Sequence, residues 1–313
     1  MSEQTDMEMG TGMNSGAGMG TGAVRTRIVD RGYQHYTGPR LGLAHATRVM
    51  TLAAVQRSLG IRQPFRAKLL PGLLIVLAFL PTIILLGVRI LAPSLPTLPP
   101  YSSLYNRVAL LYVLFAGLIA PDLLCADRRE RVLSLYFSAP ITRLHYVAAR
   151  VLGLTAVMLL PTLAPMLILY RGVALLSPSA GDYLGGHLDD LWPIVLAGGV
   201  LALYYAAVAL AVAAFTDRRA YASGIYLGLL LVSAAAVSIV VGLLRRSGSY
   251  PGHEWLQLLD LVTLPLRLVS LLFPARAGQD ADPLNVWTYA AATAGVIALS
   301  LALLTWRYLR IRD

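Results

Sequence analysis

Apolar residues along this chain gather into long unbroken runs, not into the alternation or the one-sided stripe of a water-facing fold. Six runs, over 69–92, 107–126, 147–170, 192–216, 220–244 and 286–306, reach the length of about 20 residues that a helix needs to cross a bilayer core. Pro71, Pro81, Pro121, Pro161 and Pro165 fall inside them. Spanning helices tolerate proline because neighbouring helices satisfy the freed carbonyls. Tyr101, Tyr105, Trp192, Trp287 and Trp306 sit near run ends, where amphipathic rings prefer the interface. The pattern predicts an all-α polytopic membrane protein with six transmembrane helices.

The polar stretches between the runs set the organisation. Residues 1–35 are expected to be a disordered tail, because they are dominated by Gly, Met, Thr and Ser and lack an apolar core. They show no basic start leading into an apolar stretch, so the first span is expected to do the targeting. Residues 36–68 are basic and helix-compatible, which predicts a helix on the inner membrane surface. Leu52, Val55 and Leu59 share a stripe there, but Arg48 falls on it too, and a plain cytosolic helix is the alternative. The remaining 69–313 form the membrane domain.

The longest charged interruption runs over 120–150. Within it Asp127, Arg128, Arg129, Glu130 and Arg131 open a short helix whose Val132, Leu133, Tyr136 and Phe137 lie on one broad face, and Pro140 ends it. An amphipathic helix held between two spans is a lever that a soluble partner can push. The competing reading is a solvated loop whose arginines only set topology.

Residues 254–274 complicate the span count, being nearly long enough to cross. Gln257, Asp260, Thr263, Arg267 and Ser270 recur at spacings of three and four, a polar stripe on a helix broken at Pro265. The expectation is a partly inserted, extracellular helical hairpin or re-entrant pair before the last span. Charge supports this count. Of 26 basic residues, only Arg89, Arg107, Arg171, Arg245, Arg246, Arg267 and Arg276 fall on the far side of a six-span model with the N-terminus inside. Both termini are therefore expected in the cytoplasm.

Composition removes several function classes. With 57% hydrophobic and 13% charged residues the chain is too apolar for an ordinary soluble domain, and its net charge of +10 is scattered between apolar runs, which argues against nucleic acid. Lys68 is the sole lysine and stands between Ala67 and Leu69, so no phosphate-cradling Gly-Lys-Ser/Thr loop exists. Any ATP-driven work must come from another polypeptide. His253 and Glu254 open like a zinc-protease helix, but Gln257 stands where the second histidine belongs, and Tyr221 occupies the glycine position of a nucleophile elbow around Ser223. Asp189 and Asp190 lack a third ligand at a fixed offset, the five histidines include no i, i+4 pair, and the single Cys125 allows no internal disulfide. The chain is expected to be no enzyme and to hold no metal. A membrane-embedded enzyme acting on lipid or peptide, and a non-transporting scaffold or immunity protein, are the alternatives.

The 120–154 stretch resembles the inner loop of ABC-2 type transporter permeases, in which a charged cluster leads into a Leu-x-x-x-x-Ser-x-Pro-x-Ser/Thr-Arg pattern and then the third span. Those positions read Asp127 to Arg131, then Leu133, Ser138, Pro140, Thr142 and Arg143. Thr142 stands where many members have Ser, and Ala149 and Arg150 where many have Gly-Lys, both chemically close. Residues 36–71 also resemble the entry helix of permeases from high-GC bacteria, and the Arg-over-Lys bias fits such a genome. The resemblance implies a permease subunit, most often an exporter, in a bacterial cytoplasmic membrane. It implies a homodimer, or a heterodimer with a sister permease, joined to two copies of a separate ATP-binding subunit that carries the ATP and Mg. It places the coupling contact to that subunit on Asp127, Arg128, Arg129, Glu130, Arg131, Pro140 and Arg143. The cargo stays open, although walls of Leu, Ala, Val and Tyr point to something amphiphilic or hydrophobic.

Three features keep two readings each. Asp217, Arg218 and Arg219 either brace the ATPase or set orientation. Asp122, a carboxylate inside an apolar run, is either functional or pairs with Arg128 or Arg150. Gly224 and Gly228 give a GxxxG spacing that serves either a dimer seam or packing within one subunit.

Overall fold

The computed structural model describes residues 42–60, 65–92, 99–129, 141–177, 179, 181, 185–246, 253–273 and 284–310. The expected tail over 1–35 and the loop helix from Glu130 onward lie outside these residues. In chain order the helices are α1 (Leu43–Ser58), α2 (Phe65–Leu91), α3 (Tyr101–Arg107), α4 (Ala109–Arg129), α5 (Arg143–Thr162), α6 (Ala164–Leu175), α7 (Leu188–Ala213), α8 (Arg219–Arg246), a 3-10 helix (His253–Leu259), α9 (Leu264–Leu272) and α10 (Val286–Leu309). Six of the described segments are long and apolar enough to cross a membrane: Leu69–Leu91, Ala109–Arg129, Arg143–Leu175, Leu188–Ala213, Arg219–Leu244 and Val286–Leu309. This is an all-α polytopic membrane protein.

Burial sorts the spans into centre and rim. The most apolar windows of spans two and four are 67% and 72% buried, against 6% for span five and 17% for spans one and six. α4 and α7 therefore form the core, while α2, α8 and α10 present much of their surface to lipid or to another chain. Span three is two helices. Leu163 separates α5 from α6, because Pro165 cannot donate a backbone hydrogen bond and its ring crowds the carbonyl four residues before it. The break rests on α7 at Gly198, where an added Cβ would lie 2.9 Å from the Cβ of Leu163.

α1 keeps only part of its expected stripe, with Val55 and Leu59 half-buried against the core. Its buried residues are Met50, Ala54 and Ser58, whereas Leu52 is exposed. The reason is its partner, α5, where a Cβ on Gly153 would come within 2.6 Å of the Ala54 Cβ. The crossing is made by small residues in close approach, which hydropathy does not register. Gly60, at φ 66, ends the helix, and its N–H donates to the Arg57 carbonyl at 3.0 Å. Gly153→Ala should push the two backbones apart and cost about 1–3 kcal/mol. Adding Ala54→Gly should recover most of the lost thermal stability, and a double variant no better than the single would show that the contact is not what Gly153 provides.

The segment before the last span is a pair of short helices, as expected of a hairpin or re-entrant pair, but its details differ. The 3-10 helix has 7 residues and α9 has 9, both far short of a span. The break falls at Asp260–Thr263, and Pro265 sits in the first turn of α9, a position that needs no backbone donor. The first part of the stripe points inward, while Thr263, Arg267 and Ser270 are half-buried. Gln257 and Asp260 are buried, because the turn between the two short helices leaves backbone groups that need partners inside the bundle. Tyr204 and Tyr205 donate from α7 to the carbonyls of Leu261 and Val262, each at 2.9 Å, and the Leu261 N–H donates to Ser233 Oγ of α8 at 3.3 Å. From Leu188 to Tyr204 α7 rises about 24 Å, and from Arg219 to Ser233 α8 rises about 21 Å. The tip thus lies level with the middle of α7 and α8.

Candidate functional site at the loop face

Spans two and three end at a loop whose described margins are Arg129 and Ile141, and these margins are bound together below the loop. Asp127 is wholly buried and accepts three side-chain hydrogen bonds. Arg57 Nη1 of α1 donates to its Oδ1 at 2.7 Å, Tyr146 OH of α5 donates to its Oδ2 at 2.8 Å, and Arg150 of α5 donates to Oδ2 as well. Tyr146 and Arg150 are one helical turn apart and so share a face. The Arg150 guanidinium also lies 5.0 Å from the Tyr146 ring centre, an attractive cation–π arrangement. The same ring packs at 5.4 Å against Tyr308 of α10. One carboxylate ties α1, α4 and α5 together, and through Tyr146 reaches α10.

Neighbouring charges fasten the rest of this face. Arg128 donates to the Ala214 carbonyl at the end of α7 (2.5 Å) and pairs with Asp217 (3.0 Å). Arg143 Nη1 donates to the Leu309 carbonyl at the end of α10 (3.0 Å), where a cation also complements the helix dipole. Thr142 caps α5, accepting from the His145 N–H at 3.4 Å. Cys125 Sγ donates to the Thr216 carbonyl at 3.2 Å.

The geometry corrects the expected division of this stretch. Asp127, Arg128 and Arg129 do not open the loop helix. They complete the last turn of α4, since nothing breaks the helix after Ala126 and two arginines there suit its C-terminal dipole. Asp127 is turned away from any partner, and Arg128 is half-buried against α7. Arg129 is the exposed member of the three. Glu130, Arg131 and Pro140 lie outside the described residues.

Asp122 pairs with neither Arg128 nor Arg150, but with Arg219 at 2.8 Å. Five residues before Asp127, it is turned roughly 140° around α4 at the helical period and faces α8. The short loop carrying Asp217, Arg218 and Arg219 is thereby bound to the end of α4 at two points. Arg219 is 54% exposed, so Arg219→Gln should change stability by no more than about 0.2–1 kcal/mol. A larger loss in thermal unfolding would assign this pair the same structural weight as Asp127.

The GxxxG pair is also resolved. α8 packs on α4 through Ala222, Tyr226 and Leu230, which are buried, and Ser223 Oγ donates to the Gly117 carbonyl at 2.8 Å. The glycine that permits this approach is Gly117, whose added Cβ would lie 2.7 Å from Tyr226 Cδ1. A Cβ added at Gly224 or Gly228 would meet no atom within 4 Å, so neither marks a close helix approach among the described residues.

Sequence reading missed Arg57, Tyr146 and Arg150 as partners of Asp127. The i, i+4 spacing of Tyr146 and Arg150 at the mouth of an apolar run was the available signal. Arg57 offered none, because its partner is 70 positions away.

Compared with curated proteins, the chain matches none. A family model described as ABC-2 family transporter protein matches residues 25–311. That range takes in α1, all six spans, the re-entrant segment and the clamped loop, and on this match the chain belongs to the ABC-2 family of transporter membrane proteins.

Proposed function

We propose that this chain is the permease subunit of an ATP-driven exporter in a bacterial cytoplasmic membrane, and that a separate ATP-binding subunit docks on the loop between spans two and three. The observation that carries the reading is the buried clamp at Asp127. A loop transmits a push only if its ends are fixed to the elements that must move. Here both margins of the loop are joined through Asp127, Tyr146 and Arg150, with α1 held to the same point. A partner that presses on the loop therefore moves α1, α4 and α5 together, and alternating access needs such a difference between two rigid arrangements, not chemistry in this chain.

Export is favoured by the re-entrant segment, which fills the half of the domain away from the loop, so that cargo loads from the loop side. The open face of α8, with Gly224 and Gly228 at its centre and Ile225 and Val232 exposed beside them, suits a second permease copy or a sister permease. Arg129, exposed at the margin of the clamp, and Glu130, next to it in sequence, are the residues we assign to the ATPase contact.

The test is charge reversal at Glu130. Losing an interfacial charge pair typically costs about 2–5 kcal/mol of binding, so Glu130→Arg should insert normally yet fail to copurify with the ATPase and fail to transport. Glu254→Arg, at the other end of the molecule, should leave both intact. Wild-type copurification by Glu130→Arg would reduce the loop to a topology signal. The purified chain alone should not turn over ATP, and activity persisting after removal of contaminating ATPases would overturn the division of labour.

A further inference from the structure

At the end of the bundle away from the loop, α6 and α7 diverge and leave a cleft of about 400 Å³, within the range of small-molecule sites. Its walls are Leu167, Ala174, Leu175, Leu188 and Leu191, with Tyr170 and Arg171 as its polar members. The α6 wall is fixed from behind, since a Cβ on Gly172 would come within 2.5 Å of Leu86 of α2. The mouth is held by Tyr170, whose hydroxyl donates to the His187 carbonyl at 3.1 Å.

The charge at this cleft is one-sided. Arg171 is exposed and forms no ion pair among the described residues. Asp189 and Asp190 are in the adjoining first turn of α7, but at about 100° per residue they fall well off the arc shared by Leu188 and Leu191. The surroundings are those of a membrane boundary. Leu175 is 77% exposed, Leu188 60% and Trp192 68%, so the cleft opens sideways among apolar residues that would face lipid.

We propose that this cleft is a binding site for an anionic phospholipid of the leaflet away from the loop, with one acyl chain between α6 and α7 and the headgroup phosphate on Arg171. An apolar slot with one guanidinium at its rim matches an amphiphile whose negative charge adjoins a hydrocarbon chain. Because the slot opens toward the bilayer, its occupant comes from the membrane and not from water. The site stands on the membrane architecture alone, so it survives or fails independently of the proposed transport function.

The test uses the full chain with Trp255, Trp287 and Trp306 replaced by Phe, leaving Trp192 as the reporter beside the cleft. It is reconstituted in vesicles of phosphatidylcholine mixed with brominated phosphatidylglycerol or with brominated phosphatidylcholine. Trp192 should report roughly fivefold preference for the anionic lipid, the factor that a single cation contributes at a membrane surface. Arg171→Gln should abolish the preference and Arg171→Lys should retain most of it. Ala174→Leu, which fills the slot, should lower quenching by the anionic lipid in a protein of unchanged thermal stability. Equal quenching by the two lipids in the parent protein, as would follow if residues 178–186 cover the cleft, overturns the proposal. So does a preference that Arg171→Gln leaves unchanged.

Discussion

Asp127→Ala should lower the stability of the purified protein by about 3–5 kcal/mol, the usual cost of removing one partner from a buried ion pair. The size follows from what is left behind. Arg150 has a side chain 5% exposed and Arg57 one that is 30% exposed, so Arg150 would lose the Asp127 carboxylate in a buried setting, while Arg57 could still reach water. Tyr146 would lose its acceptor at the same time. The damage should be repaired by removing the second buried charge, because replacing a buried pair by apolar residues of similar volume is often neutral. Asp127→Leu with Arg150→Met should therefore unfold closer to the parent than Asp127→Ala does, when thermal unfolding is followed in detergent. The same double variant separates structure from function. It restores packing but leaves α4 and α5 joined by non-directional contacts, so transport should recover less than stability. An Asp127→Ala protein with parental unfolding would remove the clamp from the mechanism.

How much of this was legible in the sequence depends on the range of the interaction that decides each feature. The spans were legible because a run of about 20 apolar residues is a local signal with one common cause, and each observed span overlaps its expected run. Boundaries moved where local rules met tertiary contacts. Span two runs on through Arg129 because Asp127 finds buried partners on α1 and α5, which makes a charged turn affordable inside the domain. The fold of 253–273 was half legible. Its length and its polar spacing gave two short helices that do not span, but not the burial of the turn between them. The turn is held inside because Tyr204, Tyr205 and Ser233, on two other helices, supply partners to its backbone. The buried edge of α1 beside its stripe was missed for a related reason. Ala54 and Gly153 meet because both are small, and the absence of side chain carries no hydropathy signal. The charged cluster was legible, but the anchoring role of Asp127 was not, since only its burial and its partners on α1 and α5 set it apart from its exposed neighbour Arg129.

The second large effect is expected at the tip of the re-entrant segment. Asp260 is 6% exposed and its Oδ1 accepts the backbone N–H groups of Val262 and Thr263 at 3.0 and 3.1 Å, while Oδ2 accepts the Thr263 hydroxyl at 2.7 Å. The side chain thus closes a buried turn packed against the middle of α7 and α8, where bulk water cannot replace it. Asp260→Ala leaves two backbone donors unsatisfied at about 1–3 kcal/mol each. The turn should then lose its register, and with it the hydrogen bonds from Tyr204 and Tyr205 to Leu261 and Val262. Asp260→Asn is the discriminating control. Its remaining carbonyl oxygen can accept both backbone N–H groups, so it forfeits only the Thr263 hydroxyl bond and should cost about 1 kcal/mol or less. The order alanine far below asparagine, in thermal unfolding, marks the residue as a turn cap. If asparagine is as damaging as alanine, the charge and not the cap is what the site requires. Because the tip lies against α7 and α8, its release should also expose the centre of the bundle to a small thiol reagent directed at a cysteine placed at Ser233. Parental protection of that cysteine in Asp260→Ala would show that the segment stays seated without its cap, and that the tyrosine hydrogen bonds alone hold it.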